Sequence, residues 1–341
     1  MGQSPDSSSY NENGIGIPFF QGNADFGAIH PMVRVWCDSP TKIAHDGDIL
    51  ISVRAPIGAL NIADTECCIG RGLAALTVDE RVCDKKYLWY GISSKVDELN
   101  SKGTGSTFKA ISKNVLAETE IPLPTKDIQK EIADKLDTVS MLISLRKQQL
   151  SKLDELVKSR FIEMFGDYRI NEKAFVCKKG SELFKFSSGK FLPEEKRLAN
   201  GIPVYGGNGI AWYTDKPLIE HPTVIIGRVG AQCGNIHAVT TPVWITDNAI
   251  YIKEQKTEAY TLEFLTELMR MMDFYQYADF SGQPKITQKP LETLDYIMPP
   301  IELQNKYTAF VEQTDKSKFE IQQSLKKLET LKKALMQKYF G

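Results

Sequence analysis

Pro124-Thr125-Lys126-Asp127-Ile128-Gln129 returns as Pro299-Pro300-Ile301-Glu302-Leu303-Gln304, a shift of 175 residues from Gln129 to Gln304. The same shift pairs Leu150 with Leu325, Leu153 with Leu328, Leu156 with Leu331, and Phe165-Gly166 with Phe340-Gly341. A register held over about forty residues marks an internal repeat. Downstream of each copy of the phrase, apolar residues fall on alternating steps of three and four. In the first they are Ile132, Leu136, Val139, Ile143, Leu150, Leu153, Val157 and Met164, interrupted by Arg146 and Arg160. In the second they are Tyr307, Val311, Ile321, Leu325, Leu328, Leu335 and Tyr339. This is an a/d seam of long helices. Thr125 is placed as an N-cap, Pro300 near a first turn, and Gly166 and Gly341 as stops. Each helix would be roughly 55–60 Å long. A helix of that length cannot bury its stripe against itself, and the other copy is the nearest partner.

The repeat extends upstream with small insertions. Ile17-Pro18 matches Ile202-Pro203, Gly22-Asn23 matches Gly207-Asn208, Arg54 matches Arg228, and Asn61-Ile62 matches Asn235-Ile236. The order is globule, long segment, globule, long segment. Chain geometry then makes the helices antiparallel with a globule at each end. The expected fold class is α+β, with two repeated mixed α/β domains at opposite ends of a pair of long antiparallel coiled-coil helices. The boundaries are 1–124, 125–166, 167–299 and 300–341. Strands are expected over Asp48–Val53, Ala59–Ala63 and Leu73–Val78, and over Thr223–Val229, Asn235–Val239 and Ala249–Lys253. A helix follows each set, from Lys85 to about Leu99 and from Thr261 to about Tyr277. Then come a polar loop and a short strand before the proline.

The 341 residues are 42% hydrophobic and 25% charged, with 42 Lys and Arg against 43 Asp and Glu. That balance is globular. A surface gripping nucleic acid all over would be basic, so any such surface here is a local patch or shares its charge with a partner. Cys37, Cys67, Cys68, Cys83, Cys177 and Cys233 show neither zinc spacing nor a compact disulfide framework. With no apolar run long enough for a membrane span and no signal-like N-terminus, the expected location is cytoplasmic.

Catalytic motifs are not found. Met298-Pro299-Pro300-Ile301 lacks the polar residue of a base-methylating tetrapeptide, and no Gly-x-x-x-x-Gly-Lys-Ser/Thr loop exists. Gly206-Gly207-Asn208-Gly209 has no strand-loop-helix context. Pro193-Glu194-Glu195-Lys196 has no placed upstream acid. His30, His45, His221 and His237 form no ligand spacing, and His237 aligns with Ala63. The chain therefore reads as a non-catalytic recognition module.

A DNA reader needs polar side chains on positioned loops, and the repeated loops hold them. Globule one offers Gln21, Asn23, Arg54, Arg71, Ser106, Thr107 and Lys109. Globule two offers Asn208, Arg228, Gln232, Asn235, Gln283 and Lys285. Arg54 and Arg228 lead because each is expected to end a strand at an equivalent position. The alternative for each is an arginine paired with a local carboxylate.

Over nearly its full length the chain resembles type I restriction–modification specificity subunits. The resemblance is carried by Gly2-Gln3-Ser4-Pro5, Gly16-Ile17-Pro18-Phe19-Phe20-Gln21-Gly22, Gly47-Asp48-Ile49-Leu50-Ile51-Ser52-Val53-Arg54, Ile121-Pro122-Leu123-Pro124 leading to Gln129 and Ile132, and the Phe165-Gly166 end. It implies two target-recognition domains, each reading half of a split double-stranded DNA target, and two readers on one face of the duplex prefer half-sites about one helical turn, roughly 34 Å, apart. It implies helices that set the spacing and dock two methylation subunits, with endonuclease subunits joining further out. S-adenosylmethionine, ATP and Mg would be bound by those partners, and no cofactor by this chain. The alternative is a variant subunit that binds partners but reads DNA poorly.

One departure stands out. Globule two is introduced by residues 167–201, whereas only 16 residues precede Ile17. Met1 aligns near Ser188, so globule one is about 19 residues short of its copy and lacks the equivalent of Phe175–Ser188. Met1 is then either an internal methionine of a longer reading frame or the product of recombination or deletion. Globule one is expected to be less stable for it.

Overall fold

Short apolar runs bounded by Gly, Asp and Pro become the strands of two units in the computed structural model, which describes residues 1–105 and 109–341. Met1–Lys147 with Gln323–Gly341 form the first unit, and Gln148–Gln322 the second.

In the first unit, β1 (Tyr10–Asn11), β2 (Ile17–Phe20), β3 (Trp36–Cys37), β4 (Ile43–Ala44) and β7 (Cys67–Ile69) make one sheet, ordered β1-β3-β2-β7-β4. A second sheet is ordered β6-β5-β8, from β5 (Ile49–Ser52), β6 (Leu60–Ile62) and β8 (Leu73–Leu76). All four residues of β5 are buried, which is why it reads as a continuous apolar run. Asp84 caps α1 (Lys85–Ser94) by accepting from the Tyr87 N–H at 2.9 Å. The expected single helix is broken at Lys95 (φ −95°, ψ 6°), beyond which α2 (Val96–Ser101) and α3 (Lys113–Ala117) follow. Thr125 immediately precedes α4 (Lys126–Phe165).

In the second unit, β9 (Val176–Lys179) and the short α5 (Gly180–Leu183) lead to β10 (Phe184–Ser188). Then come β11 (Ile202–Gly206), β12 (Gly209–Thr214), β13 (Thr223–Gly227), β14 (Ile236–Val239), β15 (Trp244–Ile245) and β16 (Ala249–Gln255). The sheets are β10-β16-β13-β14 and β12-β11-β15, and β9 pairs with β17 (Asp295–Met298). Between them lie α6 (Leu262–Met271), capped by Thr261, and α7 (Gln288–Thr293). The helix expected to reach Tyr277 stops early because Asp273 turns left-handed at φ 44°. The chain ends in α8 (Ile301–Phe340).

Hydrogen bonds confirm the repeat strand by strand. Gly58 N–H donates to Ser52 O at 2.9 Å, and Gly234 N–H to Gly227 O at 2.8 Å. Gly2 N–H donates to Leu73 O at 2.8 Å, and Gly189 N–H to Ala249 O at 3.0 Å. So β6-β5-β8 repeats β14-β13-β16, and Gly2 stands where Gly189 stands. No strand among the described residues corresponds to β10, and beyond the Gly2–Leu73 bond none of them pairs with the outer edge of β8. The short strand expected before each long helix forms only in the second unit, because its partner there is β9. Leu123, the counterpart of Met298, is 56% exposed. Unpaired edges open locally at lower cost. Native-state hydrogen exchange on the full chain should therefore show β8 and β5 amides exchanging faster than those of β16 and β13. Equal protection would mean that the unpaired edge costs the first unit nothing.

Within each unit the long helices run antiparallel. In the first, Phe340 and Leu335 pack with Ile132 and Leu136, while Lys147 meets Glu329 at 3.5 Å. In the second, Tyr307 lies against Phe161 and Phe165, while Lys318 pairs with Asp154 at 2.7 Å. Arg160, which interrupts the seam, lies 5.8 Å from the Phe310 ring centre. The repeated glutamines are fully buried clamps. Gln129 accepts from the Asp84 N–H at 2.8 Å and donates to Val82 O and Pro124 O at 3.1 and 2.8 Å. Gln304 accepts from the Thr261 N–H at 3.0 Å and donates to Ala259 O and Pro299 O at 2.8 and 2.9 Å. Each therefore ties the start of a long helix to the N-cap of the helix it packs against. No helix among the described residues is long and apolar enough to cross a membrane.

Candidate nucleic-acid interface

Backbone hydrogen bonds knit the polar loops of the first unit side by side. Gly72 N–H donates to Gln21 O at 3.2 Å, Val53 N–H to Gly72 O at 2.9 Å, and Ile111 N–H to Val53 O at 2.9 Å. Ala55 N–H donates to Lys109 O at 3.0 Å. The segments carrying Gln21, Arg71, Arg54 and Lys109 are thus consecutive neighbours, and all four side chains are exposed. The packing needs glycine: a Cβ on Gly72 would lie 2.4 Å from Gln21 O. Ser4 joins two of the segments, its Oγ accepting from Gln21 Nε2 at 3.0 Å and from the Arg71 N–H at 3.3 Å. Asn23 is half-buried in a 3-10 turn beside Gln21. Ser106 and Thr107 lie outside the described residues.

The second unit repeats this edge. Arg228 N–H donates to Asn248 O at 2.9 Å, Ile286 N–H to Arg228 O at 2.9 Å, and Gly230 N–H to Pro284 O at 2.9 Å. Arg228 Nη1 also reaches Asp247 O at 3.2 Å. A Cβ on Gly207 would lie 3.4 Å from the Gly227 Cα, which sets exposed Asn208 beside this group. Gln283 and Lys285 are exposed, and half-buried Gln232 accepts from the Asn235 amide.

The register corrects one equivalence. Val53 and Arg228 make the same two backbone bonds, while Arg54 and Val229 make the matching bridges to Ala110 and Lys285. Arg54 and Arg228 are therefore one residue out of step, and neither ends a strand, since β5 stops at Ser52 and β13 at Gly227. Gln232 and Asn235 fall opposite Pro56 and Ala59. His237 falls opposite Asn61, not Ala63: His237 pairs with Ile225 as Asn61 pairs with Leu50. The loops coincide, but their side chains do not.

The electrostatics suit an anionic ligand. Among the described residues Arg54, Arg71, Lys109 and Arg228 form no ion pair, whereas Arg34, Arg81 and Arg169 do, and the charge of Lys285 is felt by the Asp279 carboxylate. The carboxylate-paired alternative for Arg54 and Arg228 is thereby set aside. Unpaired guanidinium forks can take phosphate or guanine, and Asn and Gln amides can take adenine. Burial holds His237 below the ordinary imidazole value and so favours its neutral form. Burial, reinforced by Cys68 and nearby carboxylates, pushes the Cys67 thiol up to about 12, far from a nucleophile's range. Sequence reasoning missed Ser4 and a pair in the second unit, the Arg197 guanidinium 4.0 Å from the Trp212 ring centre. No spacing signal joined Arg197 to Trp212.

Comparison with known proteins agrees with this geometry. A relative in Methanocaldococcus jannaschii, named the MjaX specificity subunit of a type I restriction enzyme, is 42% identical over 158 residues, covering 46% of this chain and 37% of its own length. The EcoprrI specificity subunit of a type I restriction enzyme in Escherichia coli is 25% identical over 296 residues, covering 80% of this chain and 72% of its own. A crystal structure of a type I restriction-modification S subunit from M. genitalium shares the fold with a TM-score of 0.64 at 20% identity, over 100% of this chain and 92% of that one. A structure described as the basis of complex assembly and conformational transition of the type I R-M system gives 0.60 at 15% identity, over 99% and 93%. The profile of the family described as the type I restriction modification DNA specificity domain matches residues 3–155 and again 168–333. With most of its length matched in two successive copies, the chain belongs to the type I restriction modification DNA specificity domain family.

Proposed function

We propose that this chain is the non-catalytic specificity subunit of a type I restriction–modification complex. The supporting observation is the repeated edge: two copies of one frame, each presenting at least one arginine without an ion pair among polar loop side chains. Residues 1–124 and 167–299 would each read one half of a bipartite DNA target. Residues 125–166 and 300–341 would set the spacing and dock two methylation subunits, with endonuclease subunits joining through the complex. S-adenosylmethionine, ATP and Mg would belong to those partners, and the DNA to be read gives the complex a cytoplasmic setting. Docking is supported by apolar helix residues left outside the units' own cores. Leu156 and Leu331, paired by the repeat, are both exposed, as are Met141 and Phe319.

The test is a mobility-shift selection from a random bipartite library, with and without methylation subunits. Sequence-selective shifts that need the partners are expected. Partner binding without selectivity would instead support a chain that docks partners but reads DNA poorly. Methyl transfer by this chain alone would overturn the non-catalytic assignment. Arg228→Ala is expected to relax preference in one half-site only, by about 1–3 kcal/mol of discrimination, with binding to the selected library measuring it. Equal loss in both halves would refute modular reading.

A further inference from the structure

A frame that is the same in both copies cannot tell two half-sites apart. What distinguishes them sits where the copies differ. Strands β2 and β11 correspond, each running parallel to one neighbour (β7 or β15) and antiparallel to another (β3 or β12). The connections to the antiparallel neighbour share a Gly-Asn dipeptide, Gly22-Asn23 and Gly207-Asn208, and then diverge. In the second unit Gly206 pairs with Gly209, and a tight turn at Gly207–Asn208, closed by Gly209 at φ 96°, joins β11 to β12. In the first unit residues 21–35 fill that place as a built loop. Asp25 Oδ2 accepts from the Gln21 N–H at 2.7 Å, and Asp25 Oδ1 pairs with Arg34 at 2.7 Å. The loop is fastened to β6 by Asn61 Nδ2 donating to Gly27 O at 3.1 Å and Ile62 N–H donating to Ile29 O at 2.8 Å.

Past that dipeptide, the loop of the first unit and strand β12 of the second both hold large apolar side chains out in solvent. Ile29 and Met32 are each 57% exposed in the first, and Ile210 and Trp212 are 51% and 37% exposed in the second. The Arg197 guanidinium, 4.0 Å from the Trp212 ring centre, fixes the indole in place. Both elements are continuous with the polar edge: Gly72 bonds the Gln21 carbonyl, and Gly207 packs beside Gly227 next to Arg228. DNA offers one apolar group on its base edges, the thymine 5-methyl in the major groove, and that groove admits a two-stranded β ribbon.

We propose that Ile29 and Met32 in one unit, and Ile210 and Trp212 in the other, are specificity-determining residues that pack on thymine 5-methyl groups at A·T pairs of the two half-sites. This rests on the DNA-reading function proposed above. The test uses the full chain with its methylation subunits and the target selected from the random library. Each thymine is replaced in turn by uracil, which removes only the methyl group. At one or more positions in each half, binding is expected to fall about fourfold, the factor for losing burial of one methyl-sized group. Ile210→Ser should erase that dependence in one half and Ile29→Ser in the other. Both side chains are exposed, so these changes leave the cores intact. A selected half-site without an A·T pair, indifference to uracil throughout, or thymine dependence that survives both substitutions overturns the proposal while leaving selective DNA binding in place. Failure to enrich any sequence overturns the function on which it rests.

Discussion

Leucine in place of Gln304 is expected to cost the second unit about 3–5 kcal/mol, although it replaces one side chain by another of similar size. The side chain is fully buried and satisfies three backbone groups, the Thr261 N–H and the carbonyls of Ala259 and Pro299. Leucine fills the space and leaves all three unpaired. Each buried orphan costs about 1–3 kcal/mol, so the effect exceeds that of an ordinary core change. Gln129→Leu should behave alike in the first unit, where the orphans are the Asp84 N–H and the carbonyls of Val82 and Pro124. Urea unfolding followed by hydrogen exchange at the α6 or α1 N-terminus measures it. A loss below about 1 kcal/mol would show that water replaces the clamp.

Phe165→Ala is expected to cost about 3–5 kcal/mol through the cavity it leaves. Its ring centre lies 4.6 Å from that of Phe264, 4.9 Å from Phe161 and 5.6 Å from Tyr307, and the residue is fully buried. The end of α4 is thereby fastened to the start of α8 and to α6. Phe340 fills the same role in the first unit, 4.9 Å from Tyr87. Leu156→Ala is the control, because Leu156 lies on the same helix but is 48% exposed and should change stability by no more than about 0.5 kcal/mol. Thermal unfolding of the two variants gives the contrast. Equal losses would mean that helix propensity, not docking, holds α4 in place, against the usual dependence of protein helices on tertiary packing.

These residues also show what a linear reading can see. The repeat, the two helices and the importance of Gln129, Gln304, Phe165 and Phe340 were legible because they recur at one spacing inside uninterrupted helices. There, one residue of sequence is one fixed step of structure. Leu156 and Leu331 recur at the same spacing and are exposed, so recurrence marked a role without saying which one. The six strands placed by range were legible to within a few residues, because short buried strands are continuous apolar runs, whereas β1–β4, β7, β9–β12 and β15 were not read.

The candidate site was legible as loops and not as positions. The match of Arg54 to Arg228 followed a shift of 174 residues, while the hydrogen bonds run at 175, pairing Val53 with Arg228. A single extra residue in the turn after β13 takes the shift to 176, pairing Asn61 with His237, and shifts of 174 and 176 give the same two-residue alternation. Pattern matching therefore cannot tell on which side of the turn the slip occurs. A one-residue slip sends a side chain to the other face of a strand, so it decides which residue meets a ligand. The stack of Arg197 on Trp212, and the joining of Gln21 to Arg71 through Ser4, unite segments from different parts of the chain and left no periodic trace.

The sequence by itself determined that there are two copies, where the long helices begin and end, and which loops are polar. Only the tertiary structure decided the register of those loops, which cations go without ion pairs, and which edge of the first unit has no strand partner among the described residues. The physical reason is that helical contacts are set by spacing along one chain segment. Strand register and ion pairing are instead set between segments, where one inserted residue changes every partner.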